Sequence, residues 1–141
     1  MERIIGIDYG LKRVGVAVSD PLGIFASPLE TVPTAKIIDY LESYMSENKV
    51  SLFVVGYPVN LNNRPSECAP HVAGFIRRLA KKFPSAGIIK EDERFTSQIA
   101  MRAMIDGGMK KSDRRVKGAV DKISAALILQ TYLDGKSRGS R

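Results

Sequence analysis

Arg3-Ile4-Ile5-Gly6-Ile7-Asp8-Tyr9-Gly10-Leu11-Lys12-Arg13-Val14-Gly15-Val16-Ala17-Val18-Ser19 is the stretch whose reading decides the fold. Arg3 to Asp8 is a short β-branched run that ends in an acid. From Arg13 to Ser19, Val14, Val16 and Val18 alternate with small or polar residues, the period of a strand with two unlike faces. Asp8 to Lys12 joins the two runs, with Gly10 free to take positive φ, so the pair reads as a hairpin. Gly15 marks a point on the second strand where another backbone can come close.

Downstream, Ile24 to Thr31 is expected as a third strand, and Pro28 within it places it towards a sheet edge. Thr34 is positioned to cap a helix that carries Ile37, Ile38, Leu41, Tyr44 and Met45 at helical spacing. Leu52-Phe53-Val54-Val55 is an unbroken apolar run, as in a central strand buried on both faces, and it stops at Gly56-Tyr57-Pro58. After a loop over Val59 to Pro65, a second helix sets Val72, Phe75, Ile76, Leu79 and Phe83 on one side. Arg77, Arg78, Lys81 and Lys82 fall largely on the other. Gly87 to Lys90 suits a further strand, Thr96 or Ser97 caps a third helix that ends at Asp106-Gly107-Gly108, and a basic loop over 109–115 follows. Val116 to Leu133 is the longest helical pattern. Strands joined through helices imply an α/β layer with parallel neighbours, begun by an antiparallel hairpin.

With 141 residues, 44% of them apolar, the chain suits one domain, expected over residues 1–135 with a basic, flexible tail at 136–141. It contains no apolar run long enough to cross a membrane and no signal-peptide pattern, so no membrane partner is expected. The single cysteine, Cys68, has neither a disulfide mate nor a zinc-type cluster around it. Cytoplasm is the expected compartment. The formal net charge of +7 is uneven: residues 1–70 carry −2 and residues 71–141 carry +9. Clusters at Arg77, Arg78, Lys81 and Lys82, and at Lys110, Lys111, Arg114, Arg115 and Lys117, suit a polyanion, since neutralising phosphates releases condensed counterions. Solvated helix faces would carry the same charge, so a site has to accompany it.

Three acids stand out. Asp8 ends a strand, Glu93 follows another strand's carboxyl end, and Asp121 is embedded in an apolar helix. On that helix Val116, Val120, Ile123 and Leu127 form the main apolar stripe, while Asp121 sits with Gly118, Ser124, Ala125 and Ile128, small neighbours that permit close approach to the sheet. A carboxylate brought inward there needs a cation, and Lys122 points about 100° away. Each acid also has a plain structural role open to it: Asp8 as a turn cap, Glu93 as a partner of Arg94, and Asp121 as a solvated surface group. Ligands in open α/β sheets gather at the carboxyl ends of strands, where Asp8 and Glu93 fall. Carboxylates without His or Cys suit Mg²⁺ or Mn²⁺. Two such ions about 4 Å apart activate water on one side of a phosphodiester and stabilise the leaving oxygen on the other.

Gly6-Ile7-Asp8-Tyr9-Gly10, Arg13-Val14-Gly15-Val16-Ala17-Val18-Ser19-Asp20, Gly56-Tyr57-Pro58, Asp92-Glu93-Arg94-Phe95-Thr96-Ser97 and Asp121-Lys122-Ile123-Ser124-Ala125-Ala126 together resemble the signature blocks of the YqgF-type nucleases. These are bacterial ribonuclease-H-fold proteins described as Holliday junction resolvases and as nucleases maturing the 5′ end of pre-16S ribosomal RNA. The resemblance implies a ribonuclease-H-like α/β fold with a central mixed five-stranded sheet flanked by helices. It also implies that Asp8, Glu93 and Asp121 are catalytic acids and metal ligands. Where relatives often read Gly-Leu-Pro and a Gly-containing loop, this chain has Tyr57 and then Asn60, Asn62, Asn63, Arg64 and Pro65.

Lys12, Arg13 and Arg94 flank the expected site and, with Lys110, Lys111, Arg114 and Arg115, are candidate nucleic-acid contacts, although Arg13 and Arg94 can equally brace Asp20 or Asp92. His71, near a helix start, reads as ordinary surface. The function expected is metal-dependent phosphodiester hydrolysis on structured RNA, with four-way DNA junctions as the alternative substrate and a monomer or homodimer as the working unit. A second alternative is a non-catalytic RNA- or ribosome-binding module. A resemblance of the hairpin to the phosphate loop of actin-like kinases meets the objection that those enclose a nucleotide between two such domains.

Overall fold

In β1 (Arg3–Tyr9), Ile5, Ile7 and Tyr9 enter one core, and Ile4 enters a second core on the opposite face. A computed structural model describes residues 2–57, 69–92 and 117–137. β2 (Arg13–Ser19) pairs antiparallel with β1, setting Ile5 opposite Val18 and Asp8 opposite Gly15. β3 (Ala26–Pro33) lies antiparallel outside β2, while β4 (Val50–Tyr57) and β5 (Gly87–Asp92) extend the other side in parallel. The five-stranded order is β3-β2-β1-β4-β5, the mixed sheet that the hairpin and the strand-helix alternation imply.

α1 (Ile37–Glu47) and α2 (Ala69–Lys82) cover one face. Ile37, Leu41, Val72, Phe75 and Leu79 pack there against Ile5, Ile7, Val14, Val16, Phe53 and Val55, and Tyr9 stacks on Phe75 with centroids 4.6 Å apart. Each such side chain fully withdrawn from water contributes roughly 1.5–3 kcal/mol. α3 (Lys117–Ser137) covers the other face, where Ala125, Ile128, Leu129, Tyr132 and Leu133 meet Ile4, Ala17 and Val54. Among the described residues no helix is long and apolar enough to cross a membrane.

The buried side of α3 is the small-residue side expected to approach the sheet, and the main apolar stripe is less buried than its composition suggests. Ile123 and Leu127 are only half-buried, whereas Ser124, Ala125, Ile128 and Leu129 are buried. Val116 lies outside the described residues. Two glycines explain the choice of face. A Cβ on Gly6 would stand 2.7 Å from Leu129 Cβ and 2.8 Å from the Ala125 carbonyl oxygen, and one on Gly15 would overlap the Asp121 carbonyl. The helix lies almost directly on the sheet backbone, and only its small-residue side fits.

Other expectations shift for local reasons. β3 starts at Ala26 rather than Ile24, because the Asp20 carboxylate accepts the N–H groups of Ile24 and Phe25 at 2.7 and 2.9 Å and removes them from the ladder. Gly23 turns this loop at φ 70, and Leu22, Ile24 and Phe25 stay exposed. Thr34 does not cap a helix. Its hydroxyl donates to the Gly10 carbonyl at 2.7 Å, its N–H donates to the Lys12 carbonyl at 3.0 Å, and a 3-10 turn (Thr34–Lys36) precedes α1. Gly10 is not among the positive-φ glycines; the turn folds the Arg13 carbonyl to 2.6 Å from where its Cβ would be. β5 runs on to Asp92, and α3 runs on to Ser137. The helix expected after Thr96, the basic loop at 109–115 and the last four residues lie outside the described residues.

Two outcomes are expected. Gly15→Ala should cost about 3 kcal/mol or more in denaturant unfolding, because backbone must move to admit the methyl. Gly74→Ala, whose Cβ would meet only Arg77 Nη2 at 3.7 Å, should be neutral or stabilise by up to about 1 kcal/mol. The Phe25 N–H, and with it that of Ile24, holds the Asp20 carboxyl below its ordinary value of 3.8. The contribution of this loop clamp should therefore be complete well above pH 4 and fade as the pH falls through the lowered value. Amide exchange at Ile24 and Phe25, followed against pH, checks it.

Candidate active site

Gly15 is the centre of the site. Its β1 partner across the antiparallel ladder is Asp8, about 4.5–5.5 Å away between Cα atoms, and directly opposed residues project to the same face. That face is the one α3 covers, since the Gly15 Cβ position runs into the Asp121 backbone. Asp8 and Asp121, separated by more than a hundred residues in the chain, are thus neighbours around one glycine. Asp8 is half-buried and engaged in an interaction within the structure.

Arg13, two residues before Gly15 on β2, lies on the same face by strand alternation. Its Nε donates to Asp121 Oδ2 at 2.8 Å, with the two side chains 38% and 23% exposed. The cation beside the sheltered Asp121 is therefore Arg13. Asp20 is instead occupied by the backbone of its own loop. Lys12 is exposed at the turn, whose carbonyls Thr34 holds.

Across the sheet, Asp8 follows the Ile7–Val55 pair and is level with Gly56, which pairs with Glu91. Glu91 is 6% exposed and shares the α3 face with Ile89, two strand spacings or roughly 10 Å from Asp8. This buried acid was not singled out from the sequence, which placed Lys90 at the end of the strand. Its signal was the alternation of Ile89 and Glu91 on one face. Because β5 reaches Asp92, Glu93 is the next residue after the strand. Glu93 itself, with Arg94, Lys110, Lys111, Arg114, Arg115 and Cys68, lies outside the described residues. His71 is exposed, as expected of surface.

A hard divalent ion suits these donors, because Asp8 and Asp121 offer only oxygen, and among the described residues no His or Cys joins them in a cluster. Among the described residues no three acids, histidines or cysteines gather tightly enough to hold a metal ion by themselves. The opposite face carries positive charge of a different kind. Arg77, Arg78 and Lys81 are exposed on α2, a helix without a single acid, and Lys82 forms an ion pair, 2.6 Å from Glu42. Arg78 leans over the Phe75 ring at 5.8 Å, 3.5 Å from the hydroxyl of Tyr9, the residue after Asp8.

The family model for RuvX, described as Holliday junction resolvase, matches residues 2–135. Proteins called "Putative pre-16S rRNA nuclease" from Phocaeicola vulgatus and Flavobacterium johnsoniae are 48% and 45% identical over 136 residues. The alignments cover 96% of this chain and 98% and 99% of those proteins. Among solved structures, RuvC of T. thermophilus, determined in complex with a Holliday junction substrate, superposes with a TM-score of 0.59 over 99% of this chain and 98% of that one. At 15% identity this likeness establishes the ribonuclease-H-like fold and no more.

The Arg13–Asp121 pair is partly exposed, so its coupling in a double-mutant cycle of Arg13→Ala and Asp121→Asn should be modest, about 0.5–1 kcal/mol. Urea unfolding of the four proteins without divalent ions measures it, and strictly additive single variants would mean that the bond does not contribute.

Proposed function

The chain belongs to the RuvX family, and on that premise we propose that it is a divalent-metal-dependent nuclease that matures the 5′ end of pre-16S ribosomal RNA in the cytoplasm. The observation that carries the proposal is the meeting of Asp8 and Asp121 around Gly15, on the sheet face and at the strand ends where β5 leads into Glu93.

In this reading Asp8, Glu93 and Asp121 hold Mg²⁺ or Mn²⁺ ions, two by the chemistry of phosphodiester hydrolysis. When bound, the ions supply a Lewis acid on each side of the scissile bond. The protein's own part is to hold three like charges in one place. The ladder fixes Asp8, the contact of α3 with Gly15 fixes the Asp121 backbone, and Arg13 holds the Asp121 carboxylate. Lys12, at the exposed turn beside Asp8, meets phosphate next to the cleavage point, with Arg94, Lys110, Lys111, Arg114 and Arg115 as further contacts. A single domain over residues 1–135 suffices for this chemistry. The relatives' shared name favours precursor ribosomal RNA as substrate. The family description keeps four-way DNA as the second reading, for which paired sites in a homodimer would suit two symmetric cuts.

Incubation of the purified protein with Mn²⁺ or Mg²⁺, on a precursor 16S fragment and separately on a four-way junction, tests both. Cleavage of the RNA is expected, falling by a factor of at least about 100 in Asp8→Asn with binding retained. Cleavage of the junction alone would replace the substrate. Undiminished cleavage by Asp8→Asn would remove the catalytic assignment and leave a binding module.

A further inference from the structure

The acid site already contains a cation. The Arg13 guanidinium sits on Asp121 Oδ2 at 2.8 Å, and both groups are sheltered enough for water to screen them incompletely. A divalent ion on the same carboxylate would stand within a few ångströms of this fixed positive charge. We propose that Arg13 is a positioning residue that competes with divalent ions for Asp121, holding the carboxylate in place before an ion arrives and setting how much metal the site needs. This rests on the reading of Asp8, Glu93 and Asp121 as metal ligands.

Three features of the structure support competition over simple bracing. Arg13 reaches Asp121 from β2, an element other than the one that bears the acid, so the guanidinium can withdraw without unwinding α3. Its side chain is 38% exposed, which leaves it a route to solvent or to a substrate phosphate. The Asp121 backbone is fixed independently by contact with Gly15, so withdrawal of the guanidinium frees the carboxylate to turn towards an ion without displacing α3. A unit charge roughly 6–7 Å from a divalent ion opposes binding by about a factor of ten at near-aqueous screening.

Calorimetric titration of Mn²⁺ into wild type, Arg13→Gln and Arg13→Lys separates charge from hydrogen bonding, since glutamine keeps an N–H donor and lysine keeps the charge. Arg13→Gln is expected to bind Mn²⁺ on the order of tenfold more tightly than wild type, with Arg13→Lys within about twofold of it. The same affinity in Arg13→Gln as in wild type, or weaker binding, overturns the proposal while leaving the metal site standing. Failure of wild type to take up Mn²⁺ at all overturns both. A measurement on wild type alone guards against a variant that does not fold. Exchange of the Arg13 Nε proton with water, slowed by its bond to Asp121, should accelerate on addition of Mg²⁺, and an unchanged rate would likewise refute competition.

Discussion

Everything in this molecule depends on a helix laid against bare sheet backbone. α3 meets β1 at Gly6 and β2 at Gly15, and at both points a single methyl group would collide with the helix. Glycine is costly in a strand, by roughly 0.5–1 kcal/mol each, and two in adjacent strands would weaken a sheet that gained nothing from them. The return is proximity. At this distance the Asp121 backbone lies against the partner of Asp8 in the ladder, and Arg13 reaches the Asp121 carboxylate from its own strand. The contact that closes the second core is also the one that sets the Asp121 backbone beside the ladder partner of Asp8.

Around that contact, polar groups are spent on holding loops still. Thr34 fastens the carbonyls of Gly10 and Lys12, so the turn next to Asp8 is tied to the start of α1. Asp20 gathers the amides of Ile24 and Phe25, and Gln130 on α3 bonds both the Ala26 N–H and the Ile24 carbonyl. Both ends of β2 are thereby anchored, one to the α1 side and one to α3. A strand so held keeps Arg13 and Gly15 in register with Asp8, as a site with repelling acids requires, since misplacement by an ångström is costly in such chemistry.

Charge is divided between the two faces of the sheet. On the α3 face, among the described residues, lie Asp8, Glu91 and Asp121, with Arg13 paired to Asp121. On the other, α2 presents Arg77, Arg78 and Lys81 with no acid of its own to neutralise them. In the nuclease reading proposed above, a polyanion drawn by long-range attraction to the basic face would meet the carboxyl edge of β1 at Asp8 and Tyr9.

Hydrophobic period determined a great deal without any structure. The alternation in Arg13 to Ser19, the unbroken run Leu52 to Val55 and the helical spacing of Val72, Phe75 and Leu79 made the mixed sheet and its helices legible, because burial is dictated by local pattern. The half-buried setting of Asp8 and Asp121 was legible too, as acids beside apolar runs. The close approach of α3 through Ser124, Ala125 and Ile128 was legible in its small residues. Tertiary structure alone decided that Ile123 and Leu127, the main apolar stripe, stay half-buried, because Gly6 and Gly15 beneath bring the small-residue side onto the sheet backbone, a steric fact that belongs to two elements at once. It likewise decided that Arg13 belongs to Asp121, that Glu91 is buried and that Thr34 serves a turn instead of a helix, since a hydrogen-bond partner many positions away leaves no periodic trace in the chain.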